Sequence, residues 1–254
     1  MFIDNNSVKD AVIKGLTLVK PLDVINLKSK LVSSSTAISI GFVNQHAYNL
    51  INKFPEVNDL FHSLTYRFRD GVGLKIACDI NGCDSGYNLN GTDFIPDLIF
   101  HYLQVNPDAD VFVFGTQEPW LTLGCDKLFN NLNVEKLDGF KNTDEYLSLF
   151  TKKYSSDKKT LVLLAMGMPK QELIAKKIIK VSLGPVLVIC GGAIVDFSSK
   201  RFNRAPKLFR QFGLEWLYRL IVEPKRLFSR YIIGIPMFFF YILKNRFFSL
   251  KEET

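Results

Sequence analysis

Residues 161–196 read LVLLAMGMPKQELIAKKIIKVSLGPVLVICGGAIVD. Residues 161–165 are a run of apolar side chains, the pattern of a strand covered on both faces. Gly167 ends that run. Pro169 suits the first position of a helix, where its missing N–H costs nothing, and residues 169–181 continue as a helix. Residues 186–189 are a second apolar strand, followed by Gly191 and Gly192. Continuous apolar strands alternating with helices specify a parallel sheet with both faces covered.

The same alternation extends upstream. Residues 37–43 read as a strand and 45–54 as a helix. Residues 64–68 lead into the turn Asp70-Gly71, with a helix near 74–79. Thr92 or Asp93 caps a helix to about Val105, with Pro96 in its first turn. A strand at 111–114 ends at Gly115, and a helix follows at 119–130. A weak strand at 134–137 and a helix at 144–153 complete the body. The expectation is an α/β fold, a Rossmann-like parallel sheet body flanked by helices. Such sheets bind ligands in the loops beyond the strand C-termini.

Charge marks the single boundary. From residue 200 to the end there are twelve Lys and Arg against four acids, an excess of eight in a chain of net charge +7, so residues 1–199 are near neutral. Phe209, Trp216, Tyr231, Phe238 and other aromatics thread the basic segment. The expected division is a catalytic body, 1–199, and a helical, basic, aromatic-rich C-terminal appendage, 200–254. Basic, aromatic and aliphatic residues together suit an anionic membrane surface. The longest apolar run, 231–243, is broken by Gly234 and Pro236 and is shorter than the ~20 residues of a spanning helix. An interfacial segment is expected. The polar N-terminus lacks the basic and apolar regions of a signal peptide. Cys78, Cys83, Cys125 and Cys190 form no CxxC pair, and with three His in the chain no zinc site is expected.

Five loops follow strand ends and are the expected ligand sites: 44–46, 70–73, 115–118, 167–172 and 191–196. Asp70 sits between a strand and Gly71-Val72-Gly73, as a general base, a sugar ligand or a plain helix cap. Gly115 and Thr116 close a strand, where backbone N–H groups can bind phosphate oxygens or form an ordinary turn. Gly167-Met168-Pro169-Lys170-Gln171-Glu172 makes a helix N-terminus that attracts anions; Lys170 could add charge, and Gln171 could read a base or a sugar hydroxyl. Alternatively Gln171 and Glu172 are ordinary first-turn residues. Gly191-Gly192-Ala193 with Asp196 offers close ligand approach and a ribose contact, or helix–sheet packing. In the tail, Arg226 and Arg230 are four apart on one helix face. Glu215 and Arg219 could simply pair. Guanidinium forks match the oxygens of a diphosphate.

Taken in order, Asp70-Gly71-Val72-Gly73, Asn90-Gly91-Thr92-Asp93, the block at 167–172, the block at 191–197, Arg204-Ala205-Pro206, the block at 213–219, Glu223-Pro224 and Arg230-Tyr231 resemble the WecG/TagA/CpsF family of bacterial glycosyltransferases. The resemblance implies an inverting, metal-independent hexosyltransferase without a cofactor. It moves a sugar from a UDP-sugar, such as UDP-N-acetylmannosamine or a related hexose or uronic acid donor, to a polyprenyl-diphosphate-linked saccharide. Products feed teichoic acid, capsule, exopolysaccharide or common-antigen synthesis. The resemblance makes Asp70 the base. It places Asn44, Gln171 and Asp196 at the donor, to which the reading of the strand-end loops adds Gly115, Thr116 and Gly191, and it gives the tail arginines Arg204, Arg219, Arg226 and Arg230 to the acceptor diphosphate and the membrane. A peripheral location on the cytoplasmic face follows, and a homo-oligomer stays among the options. Two positions depart from the common pattern: Phe42 stands where many members have Thr, and residues 86–90 lack an Arg. Asp108-Ala109-Asp110 precedes its strand and so is no metal-holding DxD in a strand-end loop.

Two rival classes are weaker. A nucleotide-cofactor oxidoreductase on a Rossmann-like body would carry GxGxxG after a strand, and none is present. A nucleic-acid-binding protein would use the basic tail, but has no need of its interleaved Ile-Ile-Gly-Ile-Pro-Met-Phe-Phe-Phe stretch.

Overall fold

The computed structural model describes residues 2–247. Six strands, β1 Ile38–Val43, β2 Tyr66–Arg69, β3 Asp110–Gly115, β4 Glu135–Leu137, β5 Thr160–Ala165 and β6 Val186–Cys190, form one sheet in the order β2-β1-β6-β5-β3-β4. Every pairing is parallel, with Val43 opposite Arg69 and Ile40 opposite Ile189. All six strand C-termini therefore open on one edge.

The helices are α1 Ala11–Lys14, α2 Val24–Ser33, α3 Gln45–Lys53, α4 Pro55–His62, α5 Gly71–Ile80, α6 Gly91–Val105, α7 Trp120–Leu128, α8 Thr143–Lys153, α9 Lys170–Val181, α10 Ile194–Ser198, α11 Lys207–Gln211, α12 Glu215–Val222, α13 Pro224–Phe228 and α14 Gly234–Phe247. They cover both faces of the sheet, which is why β1, β5 and β6 are buried along their whole length. The side chains alternate as strand geometry requires. Phe112, Phe114, Val162 and Leu164 enter one core, and Val111, Val113, Leu161 and Leu163 the other.

All six expected strands are present. The short helices α1, α2 and α4 were not expected, and α5 starts at Gly71 rather than near Leu74. Phe42 is a core residue, tilted or edge-on to Phe68 and Phe94.

The appendage is helical and docks on the body. Its last residues, 248–254, lie outside the described residues. α13 runs through a π turn, Ser229–Ile233, into α14. Pro224–Phe247 is thus a continuous 24-residue helix, long and apolar enough to cross a membrane by length and composition alone. This differs from the broken run read in the sequence: Gly234 and Pro236 directly follow the π turn, and the helix continues through them. One side of the helix is fastened to α3. Phe238 and Ile242 join the body's core, and Tyr48 meets Phe238 edge-on at 5.0 Å. Asn49 Nδ2 donates to Gly234 O at 2.7 Å, and Asn245 Nδ2 to Asn52 Oδ1 at 2.8 Å. Phe228, Ile232, Ile233, Phe240 and Phe247 remain exposed.

Candidate active site

A cavity of about 720 Å³ lies where the ends of β1 and β2 meet the appendage. That is the size of a small-molecule site. β1 ends in Asn44, whose Oδ1 caps α3 by accepting from His46 N at 3.0 Å and Ala47 N at 3.1 Å. Its amide nitrogen is left to donate to the Asp70 carboxylate. Asp70 follows β2, held by its own N–H to Val43 O at 3.0 Å. Although it precedes α5, its side chain makes no cap hydrogen bond. The carboxylate is free to serve the cavity. Gly71 adopts a positive φ of 87° with open space around it, and its N–H donates to Asn88 Oδ1 at 2.8 Å. Buried Arg69 reinforces this wall, donating to Ser85 O, Gly71 O and Gly86 O.

Burial, then the Glu215 carboxylate, push the Asp70 pKa up to about 6, against the pull of Arg219, Arg230 and Asn44. A carboxyl poised there ionises below neutrality and retains useful basicity. His46 also lines the cavity and is held neutral, its pKa lowered to about 4 by burial and by Arg230.

Four guanidiniums line the same space: Arg204, Arg210, Arg219 and Arg230. Arg204 is engaged by Asp93 in a two-pronged ion pair, with NH1 to Oδ1 at 2.6 Å, and Asp97 is engaged by Lys28. Arg219 and Arg230 act on Asp70, and Arg210 acts on Asp93. The Nε atoms of Arg204, Arg210 and Arg230 are buried without a hydrogen-bond partner among the described residues. Buried donors are rarely left so unless a ligand or water completes them. Arg226 is not in the cavity. It pairs with Glu223 at 2.6 Å and stacks 5.0 Å from the Phe202 ring. Arg230 lies within the π turn Ser229–Ile233 that follows α13, and Arg226 acts on it electrostatically from outside the cavity.

The remaining expected donor residues gather at the ends of β3, β5 and β6. Thr116, at a positive φ of 42°, donates its hydroxyl to Asp196 Oδ1 at 2.5 Å. Arg201 NH1 reaches both, at 3.0 and 3.1 Å. Phe197 lies under Arg219 at 4.6 Å, which joins this cluster to the cavity. The glycines nearby are fixed by packing. A Cβ on Gly115 would stand 2.0 Å from Ala165 O, and one on Gly191 2.8 Å from Leu163 Cδ1. Gln171 is 1% exposed and faces no open space. Lys170 is tied to the carbonyls of Gly139 and Lys141. Charge counting alone noticed Arg201 and Arg210. Gln45 and His46 were placed in the strand-end loop with Asn44 but given no role of their own.

The family model described as the glycosyl transferase WecG/TagA/CpsF family matches residues 13–252, body and appendage alike. The chain belongs to this glycosyltransferase family. It is therefore a glycosyltransferase of cell-surface polysaccharide synthesis. In this transferase the family's Asp-Gly, Pro-Lys-Gln-Glu and tail-arginine blocks surround one strand-end edge, with Asp70, Asn44 and four arginines sharing the cavity. Among the described residues no group of three or more His, Cys, Asp and Glu could hold a metal ion.

Proposed function

We propose that the transferase moves a sugar, with inversion, from a UDP-sugar to a saccharide carried on a polyprenyl diphosphate, with Asp70 as general base. The observation that carries this is the Asp70 carboxyl, raised to about 6, within electrostatic reach of Arg219 and Arg230 in one cavity. A sugar hydroxyl is a weak nucleophile. A carboxylate in hydrogen-bond reach takes its proton as the hydroxyl attacks the donor's anomeric carbon, and UDP leaves with the bonding pair. The guanidiniums supply fixed countercharge to diphosphate, so no divalent ion is required. Arg230 and Arg219 hold the acceptor diphosphate one sugar ring from the base. The nucleoside end of the donor lies over Thr116 and Asp196.

On this reading residues 1–199 are the catalytic body, and residues 200–254 dock it on the cytoplasmic face of the membrane. The exposed aromatic and aliphatic side of α14 supports that placement, since it lies beside the arginines that would meet the lipid headgroup. The test is UDP release from a panel of UDP-sugars with a synthetic polyprenyl-diphosphate saccharide. Release is expected with one class of donor, to depend on the lipid acceptor, and to persist in EDTA. Release unaffected by omitting the acceptor would contradict the assignment, and loss in EDTA would contradict metal independence.

A further inference from the structure

The Lys170-Gln171-Glu172 turn invites a ligand-contact role, since it opens a helix next to the nucleotide edge. Its bonds show something else. A lysine ammonium has three donors, and those of Lys170 have three acceptors nearby: Lys141 O at 2.6 Å, Gly139 O at 2.9 Å and Tyr146 Oη at 3.4 Å. The ammonium also sits over the Tyr146 ring at 5.1 Å. No donor is left over for a phosphate. All three acceptors belong to one segment, which Tyr146 ties further by donating to Asp138 O and accepting from Lys141 N. That segment is seated on the end of β3, with Gly139 N donating to Thr116 O at 2.6 Å.

Gln171 and Glu172 work on the opposite side. Gln171 Nε2 donates to Glu172 Oε1 at 2.8 Å, and Gln171 Oε1 accepts from Gly192 N at 3.0 Å. A carboxylate oxygen can only accept, so it turns the amide's NH₂ towards itself and the amide's carbonyl towards Gly192. Gly192 is at a positive φ of 58° in the turn that leads to Asp196. Glu172 is fully buried and its second oxygen has no partner among the described residues. Burial raises its pKa to about 7. Such a costly carboxyl needs a reason to be there.

We propose that Lys170, Gln171 and Glu172 are positioning residues: they clamp the 138–141 loop and the Gly191–Gly192 turn on either side of the Thr116–Asp196–Arg201 cluster, and so shape the site for the nucleoside end of the donor. This rests on the donor placement proposed above. Lys170 acts through the Gly139–Thr116 contact, and Glu172 acts through Gln171. None of the three touches the nucleotide.

The test measures UDP affinity by calorimetry and uridine affinity by competition against UDP, on the full chain. The variants are Lys170→Met, Glu172→Leu, Glu172→Gln and Asp196→Ala. Lys170→Met and Glu172→Leu are expected to weaken UDP and uridine in parallel, by about tenfold, the scale of one lost charge-assisted hydrogen bond. Donor KM rises with them, and turnover at saturating donor is retained. Glu172→Gln stays within about twofold, because its side-chain carbonyl still accepts from Gln171. Hydrogen exchange at the Gly139 amide speeds in Lys170→Met, and at the Gly192 amide in Glu172→Leu. If UDP weakens and uridine does not, Lys170 is a phosphate contact and the clamp is overturned. The clamp also falls if Asp196→Ala weakens UDP while neither clamp variant does. Parallel weakening in the clamp variants with Asp196→Ala unchanged leaves the clamp standing and removes Asp196 from the donor site. Should Glu172→Leu fail to fold, Lys170→Met, at a half-buried position, decides the question.

Discussion

Asp70→Asn is expected to lower turnover by at least ~10²-fold, the usual contribution of a positioned general base, while UDP affinity is unchanged. The substitution keeps the shape of the side chain and its neighbours Asn44 and Gly71, and removes only the ability to take a proton. It should also raise the thermal midpoint. The folded-state pKa of Asp70 lies above its ordinary value of 3.8, at about 6. Such a carboxyl favours the fold while it is protonated, and that stability is lost as pH rises through the interval between the two values. At neutral pH the ionised, buried group opposes folding, and asparagine relieves this. A slower, more stable enzyme is the signature of a residue kept for chemistry. Near-normal turnover in a folded Asp70→Asn protein would remove Asp70 from the reaction.

The second large effect concerns Arg230. Burial lowers its pKa, Arg219, Asp70 and Arg226 are its charged neighbours, and its Nε has no protein partner among the described residues. A buried guanidinium in that state is completed by an anion. Arg230→Met should lower turnover on a lipid-diphosphate acceptor by ~10²-fold, comparable to the loss of one donor to a developing or fixed anion, with a raised acceptor KM. UDP affinity should hold within about threefold. Arg226→Met should do far less, since Arg226 is spent on Glu223 and Phe202 outside the cavity. UDP affinity falling in step with turnover would move Arg230 to the donor side.

Much of this architecture was legible because parallel strands are covered on both faces. β5 and β6 read as near-continuous apolar runs, and β1 as one interrupted by Ser39 and Gly41. Asp70 and Asn44 were legible as strand-end residues, though only the side-chain hydrogen bonds show that Asn44 caps its helix and Asp70 does not. The short helices α1 and α4 escaped notice because a single turn or two carries little periodic signal, and their stability comes from packing. The tail was legible for charge, but the π turn at Ser229–Ile233 was not, since no residue pattern there announces it. Gln171 and Lys170 show the same limit. At a helix N-terminus the same residues can meet a ligand or hold neighbouring loops, and partner distances decide between the two.

The pH dependence of kcat/KM for sugar transfer to the lipid-diphosphate acceptor tests the role of Asp70 most directly. A base must be ionised to act, so kcat/KM should rise with pH through an acid limb centred near the Asp70 value of about 6 and level off above it. In Asp70→Asn the residual rate should lose that limb. A wild-type profile flat between pH 5 and 8, or an acid limb that persists unchanged in Asp70→Asn, would contradict Asp70 as the base.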